Sequence, residues 1–181
     1  MQSNYAVQAT ICPGQVKPHN VNRMSTMAEN NRLLRERYTT SGSCSCPVCV
    51  SFCRRPGWWT VEEASMAIKA GLAFRMMLEV SPDQRFGVLS PAFKGNECNY
   101  SYQLFSAQGC TFLSGGNCEL HETGYQPLEC RFCHHDRMGL GIHCHHDIED
   151  DWNTVYGKRL IIRWGNLTDF WKRQGLIVVE K

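Results

Sequence analysis

No charge of one sign dominates this chain. Nineteen Lys and Arg stand against seventeen Asp and Glu, leaving a net charge of +2. That is too weak a field to draw in nucleic acid or an anionic membrane surface, so neither is expected as a partner. Long apolar runs are also missing, and no segment reaches the length that a bilayer span requires. The opening Met1-Gln2-Ser3-Asn4-Tyr5 has no basic start and no apolar stretch behind it. This predicts no secretory leader, and hence a reducing, cytoplasmic setting. There is no Gly-x-Ser-x-Gly, no phosphate-cradling glycine loop and no His-Glu-x-x-His, so no enzyme class is signalled. Internal repeats and low-complexity blocks are absent too.

Cysteine is what the chain has in excess. There are eleven, with seven histidines. An odd count cannot be used up by internal disulfides, and short spacings in a reducing compartment favour metal over sulfur–sulfur bonds. One group reads Cys44-x-Cys46-x2-Cys49-x3-Cys53, the other Cys110-x7-Cys118-x11-Cys130-x2-Cys133. Thiolates two or three residues apart can turn toward one ion, and soft sulfur selects zinc, copper(I) or iron–sulfur clusters over magnesium or calcium. The expected ligands are Cys46, Cys49, Cys53, Cys110, Cys118, Cys130, Cys133 and Cys144, with Cys44 and His134 as further candidates. Cys12 and Cys98 stand alone and read as ordinary buried thiols.

The first group with Arg54-Arg55-Pro56 and Thr60-Val61-Glu62-Glu63-Ala64 resembles the opening of the zinc- or iron-chelating cysteine-cluster (YkgJ-like) family. Cys110-Thr111-Phe112-Leu113, a glycine turn, Cys118-Glu119-Leu120-His121 and Gln126-Pro127-Leu128-Glu129-Cys130-Arg131-Phe132-Cys133 extend the resemblance over residues 44–135. The chain departs from that pattern in three places. It has a single Cys53 where the family often has adjacent cysteines, Gln126 where it usually has arginine, and His121 where it usually has tyrosine. The resemblance implies chelation of zinc or iron and supplies no reaction.

The expected fold is mainly α with a small β-hairpin: a compact, loop-rich single domain stapled by metal. Residues 1–25 read as an N-terminal arm and 26–181 as one cysteine-cluster domain. A short helix is predicted over 25–38. A long one is predicted over 60–80, with a Thr60–Glu63 capping box and an apolar stripe of Ala64, Ile68, Leu72, Met76 and Val80. Residues 86–93 read as extended and 100–105 as a strand or helical turn. Residues 110–121 read as a hairpin about Gly115-Gly116. Helices are predicted over 143–152 and 154–164, then a helical turn at 169–172 and an edge strand at 176–179.

The segment 143–152 would put His145 with Glu149, His143 with Asp147 and His146 with Asp150 on shared faces. A second, harder metal site could be built there, although solvated faces are the simpler reading. Three functions remain open. The first is a metal-binding protein holding zinc or iron, in one form a [4Fe-4S] cluster, and without catalysis of its own. The second is an iron–sulfur or non-haem iron enzyme or electron carrier. The third is an interaction module with structural zinc and a protein partner.

Overall fold

The computed structural model describes residues 36, 38–81, 84–102 and 105–176, with backbone alone for residues 142 and 143. The expected arm over 1–25, nearly all of the helix over 25–38, and the strand over 176–179 beyond Leu176 lie outside these residues.

The chain begins its described course with α1 (Pro47–Phe52) and α2 (Val61–Lys69). Pro47 opens α1 at the position where a missing N–H does no harm, and Cys46 serves as its N-cap, its Sγ accepting from the Cys49 N–H. Thr60 caps α2 as expected: its hydroxyl accepts from Glu63 N, and the Glu63 carboxylate accepts from Thr60 N.

The predicted helix over 60–80 does not run its length. Ala70 caps α2, and Gly71 at φ +86° turns the chain out of the right-handed helix. A 3-10 turn (Leu72–Arg75) follows, and Met76–Val80 is the strand β1. The apolar spacing of four residues carries across this break by coincidence. Met76, Met77 and Leu78 are all buried, in a run that a central strand accommodates and a one-sided helix does not.

β1 pairs antiparallel with β2 (Gly87–Pro91), Leu78 opposite Leu89, and parallel with β3 (Tyr100–Tyr102), Leu78 opposite Tyr100. The sheet order is β2-β1-β3. A two-stranded hairpin, β4 (Leu113–Ser114) with β5 (Asn117–Cys118), turns at Gly115-Gly116. Short 3-10 turns (Glu129–Phe132 and His135–Arg137) lead into α3 (Ile142–Trp152), α4 (Val155–Leu167) and α5 (Phe170–Arg173). The expectation of a mainly helical fold is therefore corrected to a small mixed domain with two sheets. The strand that reading missed was concealed inside the apparent helix.

α4 packs against α2 and β2, and α3 against β2. Trp58, Trp59, Trp152 and Trp164 are fully buried. Each indole N–H finds an acceptor: Glu79 Oε2, Tyr125 O, Trp59 O and Ala73 O respectively. These aromatic anchors fix the two cysteine-bearing stretches on one body.

Candidate metal centre

Two stretches meet because the backbone at Gly57 lies against Cys130. Gly57 N donates to Cys130 Sγ at 3.2 Å, and Glu129 N donates to Trp58 O. A Cβ at Gly57 would sit 2.6 Å from Cys130 N, so only glycine permits this approach. Glu63 tightens the same junction, accepting from Leu128 N at 3.0 Å and from Arg131 Nη2 at 2.9 Å. Arg131 and Arg137 then reach back to the loop before the first thiols. Their guanidinium groups donate to the Tyr38, Thr39 and Thr40 carbonyls. Ordinary hydrogen bonds thus bring the cysteine groups together.

α1 divides its thiols between two places. Cys46 and Cys49, three residues apart, face His135 with Cys44. The Sγ atoms of Cys44, Cys46 and Cys49 lie 3.7, 3.8 and 3.3 Å from His135 Nδ1. These four ligand atoms all fall within 4.8 Å of one another. A tetrahedral zinc site with Zn–S of about 2.3 Å and Zn–N of about 2.0–2.1 Å has S···N edges of about 3.6 Å. The observed separations bracket that edge, so the donors fit a metal ion. His135 also donates its backbone N–H to Cys49 Sγ at 3.3 Å. The Cys49 N–H holds the Cys46 thiol down at about 7, whereas burial pushes Cys49 up to about 12.

The other thiols surround a cavity of about 60 Å³. Cys53, Cys110, Cys118, Cys130 and Cys133 line it, and Cys44, Cys49 and His134 stand at its wall as well. An antiparallel bridge between Phe93 and Cys110 ties that side to the end of β2. Burial raises Cys53 to about 11 and Cys110 to about 12, and raises Cys118. Cys130 is raised well above its ordinary value by its thiol contact with Cys133 and by burial. Protonated thiols so close together would release protons to a metal that bound there. Among the described residues no three of these interior thiols converge within 4.8 Å, unlike the outer set.

Cys144, also expected as a ligand, is fully buried on α3 and donates its thiol to Gly141 O at 3.2 Å. It lines neither the cavity nor the outer set. Cys98 is half-buried, with its thiol 3.5 Å from Phe74 O, and Cys12 lies outside the described residues. His134 stacks on His135 with ring centroids 4.2 Å apart, and with Asp136 these two form a second close donor group.

His135 is the candidate donor that sequence reasoning passed over in favour of its neighbour. The signal was its place in Cys133-His134-His135-Asp136, but spacing alone does not say which ring faces the first cysteine group. The helix over 142–152 puts His145 with Glu149 and His146 with Asp150 on shared faces as expected, while the His143 side chain lies outside the described residues. His145 Nδ1 binds Glu129 at 2.9 Å across the fold, and His146 lies nearest Glu149.

Comparison with known protein families, curated proteins and solved structures finds no match to this chain. The reading therefore rests on the geometry of its own side chains.

Proposed function

We propose that this protein binds thiophilic metal at two adjoining places, and that holding metal is its primary role. The outer set of Cys44, Cys46, Cys49 and His135 would take one ion, zinc in the first instance, in a closed tetrahedron. The observation that carries this reading is the convergence of three sulfurs and one imidazole nitrogen within 4.8 Å. Four protein donors leave no open position, which supports a structural or storage site over a catalytic one. The resemblance to the zinc- or iron-chelating cysteine-cluster family points the same way, and we assign the chain to that kind of protein as part of the proposal.

The interior thiols support a second centre. Cys53, Cys110, Cys118, Cys130 and Cys133 face one cavity. The number of thiols around that single space is what supports an iron–sulfur cluster or more than one ion there. An electron-carrying role would follow if the group is an iron–sulfur cluster.

Elemental analysis with visible and EPR spectra on anaerobically purified protein tests both parts. One equivalent of metal is expected to vanish in His135→Ala. Brown protein with broad visible absorption would assign the interior to iron and sulfide. Colourless protein carrying zinc alone would remove the cluster, and metal content unchanged by His135→Ala would remove the outer site.

A further inference from the structure

Three buried polar atoms on the cavity wall make no hydrogen bond among the described residues. Both ring nitrogens of His121 are buried and make no hydrogen bond, and neither does the buried Oε1 of Gln126. Both residues line the thiol cavity, and Gln126 is only 7% exposed. The exposed Glu122 carboxylate lies 3.8 Å from His121 Nδ1, which is too long for a hydrogen bond. Burying an imidazole and a carboxamide oxygen without partners is costly, because the desolvation of each goes uncompensated. Native folds leave few such groups, and a bound group in the cavity is one way to satisfy them.

Their position identifies that something. His121 follows Cys118 by three residues, at the end of the hairpin turn, and its backbone N–H donates to the Cys118 carbonyl at 3.1 Å. The imidazole and the Cys118 thiol thus belong to one short segment that faces the same space.

We propose that His121 is a ligand of the interior centre, which is therefore a mixed imidazole–thiolate site, and that the Gln126 carboxamide hydrogen-bonds to the bound group. The chemical class follows from the donors. Imidazole with thiolate suits zinc and iron, whereas an all-sulfur pocket would favour copper(I) more strongly. A histidine in place of a cysteine also raises the potential of an iron–sulfur centre.

This inference rests on the interior centre proposed above, and X-ray absorption at the edge of the bound metal separates the two. The measurement is made on metal-loaded protein carrying His135→Ala, so that no imidazole signal comes from the outer set. Retained metal with imidazole scattering is expected, together with loss of that scattering on adding His121→Ala. Metal present with sulfur scattering alone, or imidazole scattering unaltered by His121→Ala, would overturn the inference and leave the interior centre standing. No metal in the His135→Ala protein would remove the interior centre and the inference together. Should the double alanine variant fail to fold, His121→Gln keeps the bulk and polarity of the side chain and is expected to lose the same signal.

Discussion

Glu63 and Arg131, 68 residues apart in sequence, form a buried ion pair at 2.9 Å. Their side chains are 1% and 8% exposed. The same carboxylate completes the capping box of α2 and accepts from Leu128 N. One side chain therefore starts a helix and pins the stretch that carries Cys130 and Cys133. Removing it would leave the Arg131 charge buried without its carboxylate. Glu63→Ala is expected to destabilise the fold by about 3–5 kcal/mol, read from chemical denaturation. A loss under about 1 kcal/mol would show that the pair is not needed to hold the two stretches together.

Gly57→Ala tests the close approach itself. The added methyl would press on Cys130 N at 2.6 Å and on Glu129 backbone and Cβ at 2.8 Å, and backbone cannot move aside cheaply. A stability loss of about 1–3 kcal/mol is expected, accompanied by reduced metal content. Wild-type metal content in the variant would mean that the cysteine stretches tolerate separation here.

Metal removal tests whether the proposed ions belong to the folding energy. Metal held as proposed would cross-link residues 44–53 to residues 110–135, so its binding is expected to stabilise the folded state directly. Chelation under reducing conditions should lower Tm by about 10 °C or more, the size of shift that a loss of several kcal/mol brings to a domain this long. An unchanged melting curve would make the sites peripheral.

Glu79 gives the fold a pH dependence of its own. Burial raises this carboxyl from 4.5 to about 7. Folded protein therefore holds the proton more tightly than unfolded protein. The resulting stability is present in full below pH 4.5 and is lost as pH rises through about 7. Between those limits it amounts to about 3 kcal/mol. Glu79→Gln keeps an acceptor for the Trp58 indole and cannot ionise. Thermal melts across this range should show a smaller fall in Tm for the variant than for wild type, and parallel curves would contradict the assignment.

Local chemistry was largely legible in advance. The Thr60–Glu63 cap, the glycine turn of the hairpin, the extended stretch before Pro91 and the helices after residue 142 each depend on neighbours a few residues away. The long helix failed for an equally local reason, because Gly71 was outweighed by a spacing that continued on both sides of it. The site was legible by residue type and much less by partner. Cys46 and Cys49 were marked, but His134 was preferred to His135, and His121 was noted only as a departure from a family pattern. His145 shares a helix face with Glu149 as expected, yet its hydrogen bond goes to Glu129 across the fold.

The sequence by itself determined that this chain carries soft metal donors in two groups, because thiol chemistry and spacing do not depend on the fold. Only the tertiary structure decided how those donors are shared out. Partnerships across 86 or 91 residues, such as Cys49 and Cys44 with His135, depend on where Gly57, Glu63 and Arg137 let the backbone pass. No periodicity encodes such a meeting, since it is set by packing and by buried hydrogen bonds between segments that are strangers in sequence.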